Sequence, residues 1–155
     1  MTENFTLGTL LRHLSEVMDG AIAGHYADRG LPDYRPRFSP VVRLLAARGP
    51  MAIHDLAGAI GVTHSAASQT VAQMRRSGWV SLEKGADARR RIVHLTDRAL
   101  GALPDIQAEW DATERAVADL DAELPVPLAE VVRAALDALD RRPFRARIED
   151  GLKTT

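Results

Sequence analysis

The apolar pattern of this chain changes period at Gly78. Upstream, Ala67, Val71 and Met74 recur at i, i+4 and i+7, the spacing of one helix face, within a segment that Thr63 can cap and Gly78 can close. Downstream, "WVSLE" and "RIVHL" alternate apolar and polar residues as half-buried strands do, around the charged stretch "KGADARR". Two more short helices are predicted ahead of the switch. "SPVVRLLAARG" opens with Ser39 as N-cap and Pro40 at the first helical position, and stops at Gly49. "IHDLAGAIG" has Asp55 near its start and turns at Gly61. Three short helices followed by strand, long basic loop and strand is an order that few folds accommodate.

The flanks read as longer helices. Over residues 6–27, Leu7, Leu10, Leu11, Leu14, Val17, Met18, Ala21, Ile22 and Tyr26 fall at helical spacing, before Gly30, Pro32 and Pro36 break the pattern. After Thr96 and Asp97, Leu100, Leu103, Ile106, Trp110, Val117 and Leu120 trace an apolar face, with a kink expected at Pro104. Pro125 and Pro127 interrupt it. A last helix over about 128–141 is expected to bury Leu128, Val131, Val132, Ala135, Leu136 and Leu139, and the polar tail beyond it to be partly mobile, with Phe144 and Ile148 available to dock. Apolar faces this broad outside a small lobe point to an interface. A twofold dimer would use them, and packing within one chain is the alternative. The expected organisation is a single unit over 1–155, mostly α with a small β-hairpin wing. Residues 6–30 and 98–145 would supply the dimerisation helices and 38–97 the lobe.

With 155 residues, 46% of them hydrophobic and 26% charged, the chain suits one globular domain. No apolar run approaches the ~18 residues of a membrane span, and no signal peptide is recognisable, so no membrane partner and a cytoplasmic location are expected. The absence of cysteine excludes disulfides, thiolate metal sites and thiol redox sensing. Net charge is −1, but it is unevenly spread: residues 1–62 balance, 63–98 carry a net +4, and 99–150 a net −6. Such asymmetry suits a basic lobe that meets a polyanion, although it is also compatible with ordinary solvated charge.

Helix, helix, short turn, helix and hairpin is the winged helix-turn-helix layout, and "IGVT" is a turn of the three to four residues that motif uses. The third helix of such a lobe enters a DNA major groove, which is about 12 Å wide. Its polar face suits that task. Ser65 and Ser68 are short donors or acceptors, and Gln69 can pair with an adenine edge, a contact worth about 1–3 kcal/mol of discrimination. The bland alternative is a capped amphipathic helix with a soluble face, to which the strand–loop–strand that follows would be irrelevant.

"VTHSAASQTVAQMRRSGWV" together with "DARRRIVHLT" resembles the MarR-type transcription regulators, named for multiple antibiotic resistance. Their wing pattern D-x-R-x-x-x-V-x-L-T is matched by Asp87, Arg89, Val93, Leu95 and Thr96. Leu56, Ala57, Gly61, Val62, Thr63, Ser65, Ser68, Val71, Met74, Gly78, Trp79 and Val80 occupy the places of their helical pattern. The resemblance is close over about 38–100 and extends to the flanks in layout. Gln69 and Gln73 depart from it, since many members carry basic residues there, and Met74 stands where leucine is usual.

The resemblance implies a homodimeric repressor on a near-palindromic operator, released by a small aromatic or anionic effector. Thr63, His64, Ser65, Ser68 and Gln69 would meet base edges or nearby phosphates, and Gln73, Arg75 and Arg76 the DNA backbone. In the wing, Asp87 would order the loop while Lys84, Arg89 and Arg90 reach DNA; an ion pair of Arg90 or Arg91 with Glu83 is the alternative. His13, His25, Tyr26, Tyr34, Arg37 and Trp110 are the candidates for an effector cleft, and for the histidine and tyrosine at the end of the first helix packing is the competing role.

Catalysis is not expected. There is no G-x-S-x-G elbow, phosphate loop or dinucleotide fingerprint, and adjacent His64 and Ser65 diverge by ~100° around a helix. The five histidines show no HxxxH or HExxH spacing, so neither metal nor cofactor is expected. A winged helix that binds protein instead of DNA is the remaining alternative, and the basic wing argues against it.

Overall fold

The computed structural model describes residues 6–85 and 90–153, and the chain divides into two compact units, one ending at Trp110 and the other beginning at Asp111. In the first unit, α1 (Leu7–Asp28) starts at Thr6, whose hydroxyl accepts the Thr9 amide. Gly30, at φ 80°, takes the left-handed turn that ends it. A connector leads to a 3-10 turn (Pro36–Phe38), which runs straight into α2 (Ser39–Arg48).

That continuity corrects the expected start of α2. Ser39 is the first helical residue rather than the cap, and Phe38 precedes it with no side-chain cap. The serine hydroxyl is used laterally instead. It accepts a 3.0 Å hydrogen bond from Trp110 Nε1 and lies 3.4 Å from the Tyr34 hydroxyl.

Next come β1 (Met51–Ala52), α3 (Ile53–Ile60), α4 (His64–Arg76), β2 (Val80–Lys84), β3 (Arg91–Leu95) and α5 (Asp97–Ala122). The wing is therefore a sheet of three antiparallel strands in the order β1-β3-β2, not a bare hairpin. Met51 pairs with Val93 and Ala52 with Ile92, so β3 is bonded along both edges. Pro104 lies inside α5, which continues through it.

The core of this unit lies where the elements converge on aromatic side chains. Tyr34 packs against Tyr26 at 4.5 Å between centroids, with the rings tilted by 51°, and meets Trp79 edge-on at 5.1 Å. Val41, Val42 and Leu45 of α2, Leu56 of α3, Val71 and Met74 of α4, Val93 of β3 and Ile106 of α5 close around them. Burial pushes the phenol pKa values of Tyr26 and Tyr34 upward, against the opposing effect of the Ser39 hydroxyl.

A polar clasp holds the rim. Arg98 donates to both carboxylate oxygens of Asp33, at 2.7 and 2.8 Å, and to the Ser77 carbonyl, while its guanidinium lies 4.0 Å from the Trp79 ring centroid. The Arg98 hydrogen bond holds the Asp33 carboxyl below the usual carboxylate range. A depressed carboxyl pKa contributes stability above the unfolded value, about 3.9, and loses it as pH falls further. Asp33→Asn is therefore expected to be less stable than the parent at pH 7, by under about 1 kcal/mol because the pair is partly exposed. The two urea curves should converge as pH drops toward ~3. A constant gap across that range would contradict the clasp.

In the second unit, α6 (Leu128–Arg141) follows Pro127, and the Asp121 carboxylate accepts the Leu128 amide at 2.8 Å. The tail expected to be partly mobile forms α7 (Phe144–Lys153). Ion pairs hold it: Arg142 and Lys153 with Asp150, and Arg145 with Glu149, while Arg147 donates to the Ala138 carbonyl. The expected burial of the α6 face is not met within one chain. No α6 residue is buried, and Val131, Val132, Leu136 and Leu139 are all exposed. Among the described residues no helix is long and apolar enough to cross a membrane.

Candidate nucleic-acid interface

The candidate surface is built on α4. Gly61 takes a left-handed conformation at φ 79°, turning the chain out of α3. Thr63 then caps α4, its hydroxyl accepting the Ala66 amide at 3.1 Å, an arrangement worth about 1 kcal/mol. Ala67, Val71 and Met74 are buried, which fixes the rotation of the helix. Thr63, His64, Ser65 and Gln69 are exposed along its first two turns, and Arg75 and Arg76 along its last. The helix thus offers short hydrogen-bonding groups first and guanidinium groups at its end.

Ser68 is half-buried. It lines a groove of about 290 Å³ with Arg75, Arg76 and the apolar side chains of Ile53, Val71 and Leu82, between α4 and the wing. Gln73 is turned away from the outward face on which the sequence pattern placed it. It is half-buried, its Oε1 is fully covered and unpaired, and it lines a cleft of about 450 Å³ with Glu16, Asp19, Arg35 and Arg37. The reason is rotational: each four-residue step advances about 40° around a helix, so along the row 65, 69, 73 the last member stands about 80° from the first and reaches the cleft lined by α1.

In the wing, Lys84 pairs in register with Arg91, and the Gly85 amide donates to the Arg90 carbonyl at 2.8 Å. Lys84, Arg90 and Arg91 are exposed. Glu83 lies 3.3 Å from His94 Nε2, so its ion-pair partner is that cross-strand histidine. Asp87 and Arg89, expected to order the loop and reach DNA, lie outside the described residues. Exposed cations thus cluster at the end of α4 and on the wing, a charge distribution that attracts phosphate.

Of the residues expected to line an effector cleft, Tyr26, Tyr34 and Trp110 come together around the Ser39 hydroxyl, while His13, His25 and Arg37 are exposed. Tyr26 and Tyr34 are 1% and 0% exposed, so they belong to the aromatic core and have no surface to offer. Trp110 is half-buried, bonded to Ser39, with the Arg43 guanidinium 4.3 Å from its ring centroid. His13 and His25 are exposed on α1. Of the set, Arg37 lines the cleft beside Gln73. Sequence reasoning had no means to find Arg98, whose partners lie on three other segments, or His54, whose ring centroid is 6.4 Å from that of His64.

Residues 39–91 match the sequence model of the MarR family. No curated protein matches the sequence. Among solved structures, the MarR family transcriptional regulator SPO1453 from Silicibacter pomeroyi is similar at 27% identity and a TM-score of 0.61, over 88% of this chain and 99% of that one. The M. tuberculosis transcriptional regulator MOSR in complex with DNA is similar in fold, at 20% identity and a TM-score of 0.66, over 86% and 93%. So is MepR of S. aureus in its DNA complex, at 20% identity and a TM-score of 0.64, over 88% and 96%.

Proposed function

We propose that this protein is a sequence-specific DNA-binding transcriptional regulator, a reading supported by the match of residues 39–91 to the MarR family model and by the similarity to the MarR family regulator SPO1453. It acts as a homodimeric repressor on a near-palindromic operator and is released by a small-molecule effector. The observation that carries the reading is the exposed ridge of α4, where a Thr63-capped helix offers Ser65 and Gln69 above a buried Ala67–Val71–Met74 seam. MOSR and MepR, of the same fold, are described in complex with DNA.

In this reading α4 enters the major groove. Ser65 and Gln69 meet base edges, while Thr63, His64 and Ser68 meet bases or adjoining phosphates. Arg75 and Arg76 hold the backbone, and Lys84, Arg89 and Arg90 carry the wing to flanking phosphates or the minor groove, where arginine is favoured by narrow A·T-rich geometry. Two copies related by a twofold axis would place their reading helices ~34–36 Å apart, one turn of DNA. Occupying the operator blocks access to it, which gives repression. The effector is proposed to enter the cleft beside Arg37 and Gln73, which touches both α1 and the reading helix.

Selection of bound fragments from genomic DNA tests the class: enrichment of a near-palindrome is expected, and no enrichment would favour a protein-binding role. Two substitutions test the surface. Gln69→Ala is expected to change which bases are preferred, by about 1–3 kcal/mol at one position. Arg76→Ala is expected to weaken binding to every sequence alike and reduce the salt slope by about 0.9. Binding that survives both unchanged would exclude α4 as the reading helix.

A further inference from the structure

The turn between α3 and α4 brings together two histidines that stand ten positions apart in the chain. His54 lies in the first turn of α3 and His64 opens α4. Their imidazole centroids are 6.4 Å apart, with the planes at 41°, and both side chains are exposed.

We propose that His54 and His64 form a metal site that takes a transition-metal dication of the imidazole-preferring class and bridges the two helices of the reading motif. Imidazole nitrogen is a good donor to Zn²⁺, Ni²⁺ and Cu²⁺ and a poor one to Mg²⁺ or Ca²⁺. A nitrogen–metal bond of about 2.0–2.1 Å puts each ring centroid about 3.2 Å from the ion, so two rings on a tetrahedral ion stand about 5 Å apart. The observed separation is about 1 Å longer than that, and side-chain rotation supplies the difference, because neither ring is held in the core. Among the described residues no third histidine or carboxylate completes a cluster, so the ion has two protein ligands and open positions for water. Linear spacing gives no sign of the pair, since the two ligands lie on different helices and meet only through the turn at Gly61–Thr63.

The site has a consequence that rests on the proposed function. An ion there adds two positive charges at the start of the helix assigned to DNA, with open positions that a phosphate oxygen can fill, so Zn²⁺ is expected to tighten operator binding.

The test uses the full chain without DNA, which separates this proposal from the functional one. Titration with Zn²⁺ is expected to give one site per chain, and bound Cu²⁺ an electron-spin resonance spectrum with nitrogen hyperfine structure from two imidazoles. His54→Gln and His64→Gln should each weaken Zn²⁺ binding about tenfold or more and leave at most one coupled nitrogen, while His94→Gln, in the wing, changes neither. All three positions are at least partly exposed, so circular dichroism should show unaltered helix content. Zn²⁺ affinity unchanged by either substitution at 54 or 64, or no saturable binding by the parent, would overturn the site. Metal binding that follows this pattern without any effect of Zn²⁺ on DNA affinity would support the site and remove its link to DNA.

Discussion

Trp79→Ala is expected to remove about 3–5 kcal/mol of stability, enough to leave the winged-helix lobe largely unfolded at 37 °C. Trp79 is 0% exposed and joins what the chain otherwise keeps apart. Its ring meets Tyr34 edge-on at 5.1 Å and carries the Arg98 guanidinium at 4.0 Å, and its backbone amide donates to the Met74 carbonyl at 2.8 Å. Alanine leaves a cavity among the connector, α4, β2 and the first turn of α5, and takes away the surface that orients Arg98. The indole N–H contributes nothing to offset this, since Nε1 is buried without an acceptor. Trp79→Phe should therefore be much milder, because it keeps an aromatic edge and removes an unpaired donor. Chemical denaturation measures both. A Trp79→Ala stability within about 1 kcal/mol of the parent would show that the aromatic cluster does not hold the lobe.

The second large effect concerns α6. Val132 and Leu136 stand four residues apart on one helix face and are 43% and 57% exposed. The double variant Val132→Asp with Leu136→Asp is expected to be monomeric by light scattering, because paired carboxylates cannot be buried in a twofold interface without partners. Operator affinity should fall by about 10²–10⁴-fold, since each copy then binds its half-site without the other's effective concentration. Both side chains are exposed, so helix content by circular dichroism should persist. A variant that stays dimeric would place the interface elsewhere. A folded monomer that binds the operator as tightly as the parent would remove the need for two copies.

The parts of the fold that could be read from the sequence are those set by local chemistry. Thr63 and Gly61 mark the start of α4 because a cap hydroxyl and a left-handed turn act within a few residues, and α3, α4, β2 and β3 lie where period and caps place them. The two wing strands that flank "KGADARR" were legible for the same reason, since alternation of apolar and polar residues is a local signal.

What was misread depended on distant partners. β1 has two residues, too few for any period, and exists because β3 offers a free edge to Met51 and Ala52. Ser39 looks like a cap until Pro36–Phe38 wind into the helix ahead of it and Trp110, seventy-one positions later, claims its hydroxyl. Tyr26 and Tyr34 were open to either a cleft or a core, because an aromatic near arginine suits both, and both are buried in the aromatic cluster. The α6 face is apolar as expected, but an apolar helical stripe in a sequence does not say what covers it, and these side chains are exposed.

The short β1 strand has a mechanical result. The chain leaves the sheet at Ala52 and enters α3 at the next residue, so the helix that precedes the reading helix is anchored directly to the wing's central strand. With β3 bonded on both sides, the strand bases and α3 form one frame, with no free linker between them. The lobe therefore works as a fixed gauge. In the proposed function, the separation of α4 from the wing base that a DNA site would have to fit is thus set when the protein folds.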